Sequence, residues 1–337
     1  VIGLRHGKRI RAYAGVAAAA VALCPARSIS AEPTPHVALD PLQTSLPGDR
    51  FFLASDAAIP RAGAFSAKLF ESYAYRPLLE VPTTSGVEEV VSSELYFDVG
   101  ASYSLLGKAL FAVDLPIIPF QGGDYVEKAS VGDLRLAARA RFAGTRHADF
   151  GTETRVFLPT GNPETLTSDG TLRVSQLLTV SGRFSSFVYA ASAGYLARKR
   201  IALYGTEVGP ALPFSAAVGV DVARRLQIGA EIQGYTVIGG SNPFDEQSTP
   251  VLGLLGVRFR SGGLLVGAGA GPGLSHAPGS APHVVFTMAW EPPPKGRGYT
   301  VQTSVPPEPT TPLATSPAVV PLPPPAPSPS ASTTTFT

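Results

Sequence analysis

Glu94-Leu95-Tyr96-Phe97-Asp98-Val99-Gly100-Ala101-Ser102-Tyr103-Ser104-Leu105 alternates with period two. Leu95, Phe97, Val99, Ala101, Tyr103 and Leu105 fall on one face. Glu94, Tyr96, Asp98, Gly100, Ser102 and Ser104 fall on the other. Such alternation marks a strand lying between two unlike environments. About a dozen segments of this kind fill residues 62–290. With polar residues turned inward, they predict an all-β fold, an antiparallel transmembrane β-barrel.

The spacing predicts strands over 64–76, 92–105, 109–118, 131–142, 149–158, 171–181, 186–197, 207–222, 225–237, 251–260, 263–271 and 282–290. Twelve is an even number, as single-chain bacterial barrels require. Gln176 interrupts the apolar face of 171–181, and Pro210 and Pro213 fall in 207–222, where a bulge or a break is expected. Loss of either strand would leave ten. The gaps alternate between tight turns, such as Leu106-Gly107-Lys108 and Ala223-Arg224, and long polar connections, such as 77–91 and 238–250. Short periplasmic turns and long extracellular loops are the two ends of such a barrel.

Composition agrees. Charged residues make up 15% of the 337 residues, below the roughly 25% of soluble domains. The net charge of +2 gives no reason to expect a nucleic-acid partner. The single cysteine, Cys24, lies in a predicted signal peptide over 1–30, so no disulfide or thiolate chemistry is expected in the mature chain. That leader has a basic start (Arg5, Lys8, Arg9, Arg11), an apolar stretch from Ala12 to Leu23, and Ser28-Ile29-Ser30 before a cleavage point at Ala31. Leu23 before Cys24 argues against a lipoprotein. Residues 31–61 read as an irregular lead-in with one apolar patch, Phe51-Phe52-Leu53. From Glu291 to Thr337 the chain holds 14 prolines in 47 residues and reads as a disordered, extended periplasmic tail or linker. These readings place the barrel in the bacterial outer membrane, with outer-membrane lipid as its first partner.

The inward faces carry Glu94, Asp98, Asp114, Arg135, Arg139, Arg141, Glu153, Arg155, Glu231 and Arg258. A charge on a lipid face costs about 2–4 kcal/mol at the midplane, so this face is the lumen. The charges suit either an ion-paired network that fills the barrel or a constriction that selects small solutes and ions. Tyr73, Tyr75, Tyr103, Tyr195 and Trp290 fall near strand ends, where interface aromatics sit.

Pro47-Gly48-Asp49-Arg50-Phe51-Phe52, Tyr75-Arg76-Pro77-Leu78, Gly132-Asp133-Leu134-Arg135-Leu136, Phe157-Leu158-Pro159-Thr160-Gly161, Arg225-Leu226-Gln227-Ile228-Gly229 and Gly267-Ala268-Gly269-Ala270-Gly271-Pro272-Gly273-Leu274 together resemble the N-terminal barrel of OmpA-family outer-membrane proteins of the myxobacterial type. The resemblance covers about residues 47–291 and implies a structural role in the cell envelope. In that family a Pro-rich linker leads to a peptidoglycan-binding domain; no residue of this sequence corresponds to that domain, so cell-wall binding passes to none of them. Leu158-Pro159-Thr160-Gly161-Asn162-Pro163 is also similar to outer-membrane channels for aromatic compounds, which implies passive uptake of small hydrophilic or aromatic solutes as the alternative.

No cofactor or metal is expected. The Gly267–Gly273 run lacks the Lys-Ser/Thr of a phosphate loop and lies in a strand pattern. His6, His36, His147, His276 and His283 have no metal-site spacing. Asp245-Glu246 reads as a solvated loop. A barrel lipase would need a serine beside a strand histidine at the membrane rim, and the sequence places none clearly opposite His283. The expectation is a non-enzyme. A soluble two-sheet periplasmic protein is disfavoured, because aromatics would then cover one whole exposed surface.

Overall fold

The computed structural model describes Ala38 and residues 42–291, apart from 79–80, 84–85, 89–90, 123–128, 204–205, 239–243 and 247. The leader and the Pro-rich tail lie outside the described residues.

Twelve antiparallel strands close into a barrel. They are β1 (Phe65–Leu78), β2 (Val91–Leu105), β3 (Ala109–Gly122), β4 (Leu134–Gly144), β5 (Ala148–Leu158), β6 (Arg173–Phe184), β7 (Phe187–Ala197), β8 (Ala211–Ala223), β9 (Leu226–Val237), β10 (Val251–Ser261), β11 (Leu264–Gly271) and β12 (His283–Trp290). Each pairs with its neighbours in sequence. Pairing of β1 with β12, from Ala67–Trp290 to Ala74–His283, closes the ring, so no barrel edge is left open. The two-residue strand Ser130–Val131 adds to β3, and short ribbons, Val81–Thr83 with Gly86–Glu88 and Ile201–Leu203 with Thr206–Val208, extend two long connections.

Both doubtful segments form strands, β6 and β8. Pro213 is tolerated because the β7–β8 ladder passes from Ala193–Phe214 to Leu196–Ala211, while the β8–β9 side stays paired through Pro213–Tyr235. The proline's missing donor thus falls where the ladder lapses. Tight turns end the hairpins at one pole. In the β2–β3 turn Leu106 (φ 54°) and Gly107 (φ 62°) are both left-handed, the twist that suits a two-strand ribbon.

The outer face is apolar. Phe65, Val99, Phe111, Val113, Leu136, Phe142, Val284 and Met288 are all exposed there, as the alternation requires. The described part of the lead-in is irregular and runs inside the barrel. Leu42, Leu46, Phe51, Phe52, Leu53, Ala54 and Ala57 are 0–3% exposed.

The glycine-rich strands take their meaning from that segment. A Cβ on Gly256 would stand 2.5 Å from the Phe52 ring, and one on Gly267 would stand 2.9 Å from it. The bare backbone of β10 and β11 is the floor on which Phe52 lies. Gly256→Val is therefore expected to force Phe52 out of place and to lower stability by about 1–3 kcal/mol, read as an earlier urea-unfolding midpoint of the refolded barrel.

Candidate functional site

The lumen is the candidate site, and its centre is a turn. Leu46-Pro47-Gly48-Asp49 carries proline at the second position and Gly48 at φ 99° at the third, and Asp49 N–H donates to the Leu46 carbonyl at 3.0 Å. This is a type II turn, with each residue type where that turn needs it. It aims the Asp49 carboxylate at β4. Arg139 donates from Nη1 and Nη2 to the two Asp49 oxygens at 2.5 and 2.7 Å, and from Nε to Glu153 of β5 at 2.7 Å. Arg139 is 1% exposed. A bidentate, charge-assisted pair of this kind is among the stronger hydrogen-bonded arrangements available.

A second centre lies one step along β4. Arg135 bridges Asp98 of β2 and Asp114 of β3 at 3.1 and 3.0 Å, and Lys68 of β1 lies 3.5 Å from Asp98. Thr44 of the inner segment donates to Asp98, and Lys68 donates to the Ser45 carbonyl. Asp114 reaches inward over Gly100, where any Cβ would overlap its carboxylate. Arg155 pairs with Glu153 at 2.5 Å and donates to Ser55 at 2.7 Å.

A third centre is Glu231 on β9. Its oxygens accept the backbone N–H groups of Phe52, Leu53 and Ala54 at 2.7, 2.7 and 3.1 Å. Those amides belong to no strand, and burial without partners would cost about 1–3 kcal/mol each. Arg258 donates to the Asp49 carbonyl at 3.0 Å and lies over the Phe52 ring, 4.5 Å from its centre. Further bonds fasten the segment along its length: Gln43 with Gln233, Ser102 with the Pro47 carbonyl, Ala57 with Ser181, and Ser104 with the Pro60 carbonyl. Arg50 pairs with Asp56 at 2.6 Å inside the segment itself.

The charges balance. Lys68, Arg135, Arg139, Arg155 and Arg258 face Asp49, Asp98, Asp114, Glu153 and Glu231, five cations against five carboxylates. Two cavities beside the inner segment are small. One cavity of about 50 Å³ is lined by Leu42, Gln43, Tyr96, Arg135 and Phe157 among others; another of about 20 Å³ lies against Gln43, Ser55, Arg155 and Gln233. Each holds only a few waters.

The structure thus gathers eight of the ten expected lumen charges around the inner segment: Asp98, Asp114, Arg135, Arg139, Glu153, Arg155, Glu231 and Arg258. Glu94 lines the first cavity with Arg135 and accepts a bond from Gln121 at 3.0 Å. Arg141 keeps the register of Arg139 on the same face of β4 but stands at the mouth of the barrel, where its half-exposed side chain pairs with Asp149 at 2.9 Å. Asp49 was absent from the expected set, because it belongs to no alternating strand. The Pro-Gly turn before it and the adjacent Phe51-Phe52-Leu53 patch were its available signals.

Tyr73, Tyr75, Tyr103, Tyr195 and Trp290 are all exposed on the outer face, 43–53%. Tyr73, Tyr75 and Tyr195 stand toward the long-connection pole. Tyr103 and Trp290 stand toward the tight-turn pole, with Phe65 6.2 Å from Trp290. A serine does face His283: Ser72 Oγ lies 3.0 Å from Nδ1. Both residues are buried, and His283 Nε2 has no hydrogen-bond partner among the described residues. Glu246 of the Asp245-Glu246 pair meets His276 on an exposed loop.

No family model and no curated protein matches the chain. Its fold is similar to a crystallised outer-membrane channel from Pseudomonas putida F1, with a TM-score of 0.56 at 11% identity over 73% of this chain and 98% of that one. The NanC porin aligns over 68% of this chain and 98% of its own at 4% identity, with a TM-score of 0.46, too loose for further argument. The likeness to the first is one of fold: a closed antiparallel barrel of the outer-membrane type.

Two substitutions on β4 separate the lumen from the rim. Arg139→Ala leaves Asp49 and Glu153 buried without their shared cation and is expected to cost about 3–5 kcal/mol. Arg141→Ala removes an exposed pair and is expected to cost at most about 1 kcal/mol. Urea-unfolding midpoints of the two refolded variants give the comparison.

Proposed function

We propose that this protein is an outer-membrane β-barrel with a structural role in the cell envelope, held shut by its own N-terminal segment. The observation that carries the reading is the neutralised lumen. A selective pore needs a field of one sign or a line of unsatisfied groups along an open path. Here Arg135, Arg139 and Arg155 each meet carboxylates, and the segment from Leu42 to Pro60 occupies the path between them. The resemblance to the OmpA family supports the same role. Outer-membrane lipid is the partner of the apolar outer face, and the tight-turn pole faces the periplasm.

No catalysis is part of this reading. Ser72 is 1% exposed, which leaves a substrate no approach to it. Its bond to His283 serves to satisfy a buried hydroxyl.

One observation favours a second reading, a passive channel for small hydrophilic or aromatic solutes. The two cavities flank the inner segment and share Gln43 in their walls. Displacement of the segment would join them. The solved channel of like fold gives this reading its support.

Single-channel recording in a planar bilayer separates the two. Barrels shown to be folded by a mobility difference between unheated and boiled samples are expected to be silent. A double variant, Asp49→Asn with Glu231→Gln, loosens the inner segment at two anchors and is expected to give intermittent, salt-dependent openings. Steady conductance of the unaltered chain would end the structural reading in favour of the channel.

A further inference from the structure

The two poles of the barrel differ in charge more sharply than the net charge of the chain suggests. The five tight turns, 106–108, 145–147, 185–186, 224–225 and 262–263, hold Lys108, Arg146, Arg224 and Arg225 and no carboxylate. The described residues of the six connections at the other pole, within 79–90, 123–133, 159–172, 198–210, 238–250 and 272–282, include seven carboxylates against three lysines and arginines. Arg61, just before β1, joins the cationic pole.

Lys108, Arg146, Arg224, Arg225 and Arg61 are exposed, and among the described residues none of the five has an ion-pair partner. The carboxylates that do lie at this pole are already engaged: Asp149 by Arg141, Asp221 by Arg183, and Glu291 by Arg260. What remains is a ring of free positive charge around the barrel mouth.

Its height on the barrel decides what it meets. Phe65, Tyr103 and Trp290 stand exposed on the outer face next to this rim, with the apolar belt beyond them. Aromatics of this kind lie at the headgroup level of a bilayer. Cations placed immediately outside them lie among the phosphates, within the Debye length over which an anionic surface acts.

We infer that the tight-turn rim is a docking ring for anionic phospholipid headgroups of the leaflet it enters. The inference rests on the outer-membrane reading above. Continuity of the ring with the lipid-facing belt favours lipid over a soluble acidic polymer. The guanidinium groups of Arg61, Arg146, Arg224 and Arg225 suit phosphate oxygens, which they can grip through paired N–H donors.

Trp290 is the only tryptophan of the chain and stands at this rim, so it reports on the lipid beside it. The full chain is refolded into phosphatidylcholine vesicles containing a minor fraction of either brominated phosphatidylglycerol or brominated phosphatidylcholine. Bromine quenches indole on contact. Quenching by the anionic lipid is expected to correspond to roughly threefold or greater enrichment next to Trp290, and to fall to parity in high salt. A variant with Arg61, Lys108, Arg146, Arg224 and Arg225 all changed to glutamine should show parity at low salt. All five sites are exposed, so it retains the heat-shifted mobility of a folded barrel.

Equal quenching by the two lipids in the unaltered protein would overturn the inference. So would a preference that survives the five changes. Salt-sensitive binding of soluble polyglutamate without any lipid preference would reassign the ring to an acidic polymer. Absence of quenching by either lipid would show that the barrel is not in the bilayer, which is failure of the outer-membrane reading itself.

Discussion

The contact between Arg139 and Asp49 joins the barrel wall to the irregular segment inside it. Arg139 belongs to a strand whose alternation would place it in the lumen whatever filled that lumen. Asp49 belongs to an irregular segment. Neither charge is tolerable alone in so enclosed a space, where a single uncompensated ion costs several kcal/mol. Paired, and with Glu153 shared between Arg139 and Arg155, they make a neutral unit that spans from wall to centre. The remaining contacts elaborate this one. Glu231 satisfies three amides that lie beyond the turn, and Arg258 and the glycines of β10 and β11 shape the bed for Phe52.

The barrel was legible because a barrel wall imposes the same rule on every residue. Lipid on one side and a polar interior on the other leave a period-two record, so the twelve strands emerge in sequence with ends within four residues of those observed. Pro213 is the place where local geometry strains that record: β8 retains its strand because the ladder to β7 lapses at that point.

The filling of the lumen was harder to read. Residues 42–60 carry no periodicity, and an irregular chain buries its amides only if something else in the fold accepts them. The acceptors, Glu231 and Ser181, lie more than a hundred residues away, and no local pattern links them to Phe52 or Ala57. The lumen arginines of β4 find carboxylates along the wall, Asp114 and Glu153 on the adjacent strands and Asp98 one strand further. Asp49 had to come from the segment whose position only the closed barrel defines. The glycine run makes the same point in reverse: its small residues look like a property of the strand, and their cause is a phenylalanine more than two hundred residues earlier.

A lumen occupied and neutralised by its own chain is the account's central claim. Hydrogen–deuterium exchange at the amides of Phe52, Leu53 and Ala54 tests it most directly, in the refolded barrel by NMR. These amides lie outside every strand, so their protection comes from burial in the lumen and from their bonds to Glu231. The account predicts exchange as slow as that of the strand amides, made fast by Glu231→Ala. Exchange at the rate of an unstructured chain in the unaltered protein would contradict it, because the segment would then lie outside the barrel and the lumen would be open.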